Sequence, residues 1–130
     1  MIRKKFVVLT PEEWVRQNFL MYLIFHRNYP ASLVSVETEL KLFKKKKRTD
    51  IVVHSNLGKP LMIIECKAPG IKIDESVFEQ VIRYNMALKV NHLILTNGLS
   101  HFCCTVDYQR NAVEFLKDVP DYKNILTFGE

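Results

Sequence analysis

Little in this chain invites a covalently stapled or membrane-bound architecture. Its three cysteines are an odd number; Cys103 and Cys104 adjoin, and Cys66 lies far from both. No disulfide framework or zinc-ligand spacing can be built from them, which leaves a reducing cytoplasm as the simple reading. His26, His54, His92 and His101 show no ligand spacing either. The longest apolar run, residues 19–25, falls far short of the roughly 20 residues that a spanning helix needs. The basic start Met-Ile-Arg-Lys-Lys is followed by only four apolar residues before Thr10-Pro11, too few for a signal peptide. No association with a membrane is expected. Internal repeats and linkers are absent too, so residues 1–130 are expected to form a single domain. Positive charge is in modest excess, net +5, which permits an anionic partner such as nucleic acid without requiring one.

What is present is an ordinary globular composition, 48% hydrophobic and 25% charged, enough to build one core. Residues 6–9 suit a short edge strand. Thr10-Pro11-Glu12-Glu13 starts a helix: Thr10 caps, Pro11 suits the first helical position and Glu13 completes a capping box. The helix runs to about residue 27, ended by Tyr29-Pro30, and its apolar second half suggests burial on more than one side. Residues 34–42 alternate with period two, as a half-exposed strand does. The basic run 44–48 falls in the turn to a second strand at 50–54. Residues 61–67 are the most apolar strand and so central, and three strands with short links make a meander. Asp74 or Ser76 caps a second helix, with Glu79 placed to complete a box with Ser76. Its buried stripe is Val77, Val81, Tyr84 and Leu88, widened by Phe78, with Gln80 at the border. A strand at 92–96 then pairs in parallel with the third. Asn97-Gly98 makes a hairpin turn, followed by strands at 99–106 and 112–116. Cys103 and Cys104 alternate faces as core fillers. The tail, with Ile125, Leu126 and Phe128, docks on the core or awaits a partner.

Charge is out of place in two of these strands. Asp50 lies in the second; Glu65 and Lys67 lie in the third, on one face, with Cys66 on the other. Charges in apolar strands cost desolvation unless they meet a counter-charge or a metal. Two carboxylates and one ammonium are the composition of a divalent-metal hydrolytic site.

The ordered set Asp50, then Glu65-Cys66-Lys67, then Gln80-Val-Ile-Arg-Tyr84 resembles the PD-(D/E)xK nuclease superfamily. Pro11-Glu-Glu-Trp-Val-Arg-Gln17, Arg48-Thr-Asp-Ile-Val-Val53, Ile64-Glu-Cys-Lys-Ala-Pro69 and Leu95-Thr-Asn-Gly98 narrow it. They resemble the N-terminal nuclease domain of type I restriction enzyme R subunits, over roughly residues 10 to 106. The helicase motor that full R subunits carry downstream does not occur in this sequence, so a free-standing relative is expected.

The resemblance implies an α/β fold with a restriction-endonuclease-like α/β/α core: a central mixed β-sheet of four to six strands flanked by helices. It implies a Mg²⁺-dependent deoxyribonuclease, endonucleolytic, in which Mn²⁺ can substitute. Asp50, Glu65 and the backbone carbonyl of Cys66 would bind the metal. Lys67 would orient or deprotonate the attacking water and offset phosphate charge. Gln80 would hold a water or ligand, Tyr84 would position the helix, and Glu13 matches the first-helix acid of many members. The implied partners are DNA and either a second copy or a helicase- or specificity-type protein.

Each assignment has a plainer rival. Asp50, Glu65 and Lys67 can be a structural salt bridge. Gln80 and Tyr84 can be helix-boundary packing, and Glu13 a cap alone. Lys45, Lys46, Lys47 and Arg48 can contact phosphates or form a solvated tip. The corresponding rival function is a non-catalytic DNA- or protein-binding module of the same fold; an RNA or DNA-end nuclease is a third reading.

Overall fold

The structure, a computed structural model, describes residues 10–42 and 45–126; side chains at 37–42, 45–49, 84 and 87 lie outside that description. The edge strand expected at 6–9, Lys44 and Phe128 fall outside it. Six strands form one sheet in sequence order. They are β1 (Val34–Leu42), β2 (Lys45–His54), β3 (Pro60–Cys66), β4 (His92–Thr96), β5 (His101–Asp107) and β6 (Ala112–Leu116). The helices are α1 (Pro11–His26), α2 (Glu75–Asn85) and α3 (Tyr122–Leu126). β3 and β4 pair in parallel across the α2 crossover; the other four pairings are antiparallel. The sheet is therefore mixed, with α1 packed on one face and α2 on the other.

Strand pleating sorts the core into two layers. Ile51, Val53, Met62, Ile64 and Cys66 meet Val15, Phe19 and Leu23 of α1. Val52, Ile63, Leu93 and Leu95 meet Phe78 and Ile82 of α2. Burial on both faces explains why β3 and β4 read as nearly unbroken apolar runs. Cys103 and Cys104 divide between the layers. Both thiols are free and buried, and burial pushes each up to about 12.

Both helices start at a capped residue. The Thr10 hydroxyl accepts from the Glu13 N–H at 3.1 Å. On α2 the cap is Asp74, whose carboxylate accepts from the Val77 N–H at 3.0 Å. The helix thus begins at Glu75, before the alternative Ser76 cap could act. Burial of α1 on more than one side is not observed. A single sheet layer lies beneath it, so Met21 and Phe25 on the outer side stay 46% and 67% exposed.

Two further expectations are corrected. The basic residues Lys45, Lys46, Lys47 and Arg48 stand in β2, not in the turn before it: the β1–β2 ladder extends to Leu42↔Lys45. Its long partner, the nine-residue β1, continues to supply backbone hydrogen-bonding groups. The return strand begins at His101, not Leu99, because residues 97–100 form a wider turn. The Asn97 side chain accepts from the N–H groups of Leu99 and Ser100 at 2.9 and 2.8 Å, drawing both out of the ladder. Gly98 is needed there twice over. Its φ is +87°, and a Cβ would stand 3.3 Å from Val15 Cγ2.

The tail docks. Ile125 is buried, the Tyr29 hydroxyl donates to the Pro120 carbonyl at 2.7 Å, and the rings of Tyr29 and Tyr122 meet edge to face.

His92, buried in β4 with Nδ1 3.3 Å from the Leu61 carbonyl, is held neutral: burial lowers its pKa from 6.5 to about 4. Between those values the unfolded chain binds the proton and the folded chain does not, so stability falls as pH drops through that window. The expected loss is roughly 3 kcal/mol across the window. Urea unfolding at pH 7, 5.5 and 4.5 measures it. His92→Gln should flatten the pH slope by about that amount, and parallel slopes for the two proteins would refute the assignment.

Candidate active site

The charged residues collect where the β2–β3 ladder ends. That ladder runs from His54↔Pro60 to Ile51↔Ile64, and one more step of the register sets Asp50 level with Glu65. Just past the paired residues, Asp50 Oδ2 accepts from the Cys66 N–H at 2.8 Å. A side chain thus supplies the acceptor at the strand end and holds the first acid against the strand that carries Glu65 and Lys67. Glu65 is half-buried and, by alternation, on the Ile63 face; Cys66 lies on the α1 face. Lys67, also half-buried, follows β3, and its N–H donates to the Thr96 carbonyl at 2.8 Å, prolonging the β3–β4 pairing.

α1 delivers the counter-charge. Arg16 Nη2 donates to Asp50 Oδ1 at 2.7 Å and to Glu12 Oε1 at 2.9 Å, while Nη1 donates to Glu13 Oε1. Gln17 Nε2 donates to the other Glu13 oxygen at 3.1 Å. The side chains of Arg16 and Glu13 are only 7% and 6% exposed, and that of Asp50 is 17% exposed. Burial by itself would make Arg16 easier to deprotonate, but hydrogen bonds and charge from Asp50 and then Glu13 outweigh it, raising its pKa further above its ordinary range. It is a permanent cation joining carboxylates from two elements. Burial first, and the Asp50 charge second, push the Cys66 thiol far up. It is no nucleophile at neutral pH, and what Cys66 offers the cluster is its backbone.

Glu13, Asp50, Cys66 and, by register, Glu65 are thus brought to one end of the sheet, with Lys67 next along the chain. Gln80 stands exposed on α2, apart from the Arg16 network. Tyr84 lies on the next turn of α2, its side chain outside the described residues. Lys45, Lys46, Lys47 and Arg48 are backbone-paired with β1 on the stretch leading into Asp50. Among the described residues, no three His, Cys, Asp or Glu side chains gather as a metal-holding group. The expected donor set contains two carboxylates and a carbonyl.

Sequence reasoning missed Arg16. Its spacing from Glu12 and Glu13, four and three positions, is that of a solvated helix pair. The signal was present only as an acidic pair preceding an arginine on a helix whose next turns are apolar. Removing this guanidinium leaves buried carboxylates facing one another. Arg16→Ala should therefore cost about 3–5 kcal/mol in urea unfolding, Arg16→Lys less, and Gln80→Ala within about 0.5 kcal/mol of wild type. A small loss for Arg16→Ala would show that the cluster does not need its cation.

Comparison with known proteins agrees with this architecture. A solved structure reported as a fragment of the HsdR subunit of a type I restriction enzyme from Vibrio vulnificus YJ016 superposes with a TM-score of 0.59 at 18% identity. The match covers 91% of this chain but 25% of that one, so the chain spans about a quarter of that relative's length. A search of curated proteins finds no match. No helix among the described residues is long and apolar enough to cross a membrane. The family of the type I restriction enzyme R protein N terminus matches residues 11–120. The chain belongs to that family.

Proposed function

We propose that this domain is a Mg²⁺-dependent deoxyribonuclease with a PD-(D/E)xK site on a restriction-endonuclease-like core, and that it cuts DNA endonucleolytically. The observation that carries the reading is the Asp50–Cys66 hydrogen bond. It locks the first acid to the strand bearing the second acid and the lysine, in the order the superfamily uses. The donor chemistry fits the ion. Asp50, Glu65 and the Cys66 carbonyl offer hard oxygens, and an ionised carboxylate has about four lone-pair sites. Asp50 can keep its bonds to Arg16 and Cys66 and still ligate. Bound Mg²⁺ would supply Lewis acidity toward a phosphodiester and a water of lowered pKa.

The chain's own residues would do the rest. Lys67 orients or deprotonates the attacking water and offsets phosphate charge. Arg16 holds Asp50 and Glu13 in place, so Glu13 acts beside the site through that shared cation. Gln80, exposed on α2, would turn inward to hold a water, and Tyr84 would set the α2 orientation. Lys45, Lys46, Lys47 and Arg48 would grip backbone phosphates without reading sequence. A cytoplasmic location, and assembly with a second copy or a helicase- or specificity-type subunit, belong to the same reading.

One observation favours a second reading. Arg16 already neutralises Asp50, as it would in a purely structural ion pair, and a non-catalytic DNA- or protein-binding module would need no more.

Plasmid and linear DNA incubated with Mg²⁺, Mn²⁺ or EDTA separate the two. Nicking is expected with either metal, none with EDTA, and at least a 100-fold loss on Lys67→Ala, the order that a positioned proton-transfer group contributes. DNA binding without cleavage under every condition would leave the module. Replacing Lys45, Lys46, Lys47 and Arg48 with serine should weaken binding alike for all DNA sequences. It should also flatten the log K against log salt slope by about 0.9 for each phosphate that is no longer neutralised. An unchanged slope would remove these residues from the DNA path.

A further inference from the structure

A groove lies between α1 and the 97–100 turn, at the same end of the sheet as the charged cluster. Trp14, Asn18 and Tyr22 line one wall on successive turns of α1; Gly98 and His101 line the other. Its volume is about 250 Å³, below the roughly 300 Å³ at which pockets for drug-sized molecules begin. The space suits one ring system. Aromatic surface dominates it. The Tyr22 and His101 rings stack at 16° with centroids 6.3 Å apart, and Phe19 packs 5.3 Å from His101 beneath them. Trp14, large and apolar, is nonetheless 46% exposed at the rim.

The groove is also wired to the cluster. Trp14 directly follows Glu13 on α1. The Lys67 N–H donates to the Thr96 carbonyl at 2.8 Å, and Thr96 Oγ1 shares a 2.7 Å hydrogen bond with His101 Nδ1. Thr96 Oγ1 also accepts from the Gly98 N–H at 3.0 Å, fixing the turn that forms the far wall. Hydrogen bonds and chain continuity therefore link the groove to the residues that would face the phosphate.

We propose that this groove seats an unpaired nucleobase of the strand whose phosphate lies at Asp50, Glu65 and Lys67. The proposal rests on the nuclease reading and specifies its substrate: a locally single-stranded or splayed segment. Every base has a π-face, so an uncharged aromatic groove accepts any of them and confers no sequence preference. Stacked duplex bases hide those faces and would not enter. Burial lowers the pKa of His101, so at neutral pH it meets the base as a neutral ring.

Trp14 is the sole tryptophan and reports directly on its own groove. The full chain, in EDTA to prevent cleavage, is titrated with a short single-stranded DNA, with the same strand carrying abasic sites, and with its duplex. Quenching of Trp14 fluorescence is expected from the first alone. By anisotropy of the labelled single strand, Trp14→Ala should bind about 10-fold more weakly, and Trp14→Phe should recover most of that loss. Equal quenching by the abasic strand, or unchanged affinity in Trp14→Ala, overturns the proposal. The two readings fail separately. Base-dependent quenching without metal-dependent cleavage keeps the groove and removes the nuclease. Cleavage without base-dependent quenching keeps the nuclease and leaves the outer side of α1 to a protein partner.

Discussion

The buried guanidinium of Arg16 is the tie on which this end of the molecule depends. It gathers carboxylates from α1 and β2 where a sheet strand loses its neighbour. Two charges so deep would each cost several kcal/mol alone. Together with the Cys66 amide they form a set in which each acid meets a donor. The tie also orients α1. The helix buries Val15, Phe19, Leu20 and Leu23 against the sheet, and apolar packing alone would tolerate small rotations. A guanidinium that bonds Glu13 of the helix through Nη1 and Asp50 of the strand through Nη2 does not. The same bond that positions the helix positions Asp50.

That dual use bears on how structure and chemistry are divided here. The Glu65-Cys66-Lys67 stretch has a thiol at its centre, yet the thiol points into the α1 layer and is held protonated. The polar work falls to its backbone, whose N–H meets Asp50. On the opposite face Glu65 follows Ile63, so the charged side chains bracket the sheet end rather than lining one wall.

Much of this was legible in the sequence. Pleat alternation in residues 34–42, the apolar third strand and the two helices follow from local periodicity, the start of α1 from the Thr10-Pro11 cap, and the parallel pairing from the strand–helix–strand crossover. The acids and lysine stood out because a buried strand has little reason to carry them. What could not be read depends on distance along the chain. Arg16 and Asp50 are 34 positions apart, and nothing near Arg16 distinguishes it from a solvated helix arginine. Asp74 and Ser76 are both good caps, and only the folded chain chooses. The basic run reads as a turn by composition, but its place was decided by the length of β1. Asn97-Gly98 reads as a tight hairpin, yet the Asn97 side chain competes for the N–H groups of the next residues. The exposed face of α1 is hidden from sequence because an apolar helix does not say how many layers will cover it.

The parallel β3–β4 pair has a kinetic meaning as well as a topological one. Strands β1 to β3 and β4 to β6 each close by hairpins, through contacts near in sequence. Only β3 and β4 must find each other across a crossover, with Ile64 meeting Ile94 thirty positions away. Loop-closure entropy is spent at that seam before its contacts repay it. Glu65, Cys66 and Lys67 sit on the seam, and the Lys67–Thr96 bond is its last stitch. That end of β3 is therefore held twice, within the first meander by the Asp50–Cys66 bond and across the crossover by the Lys67–Thr96 bond, so it is the place where the two halves of the sheet are joined.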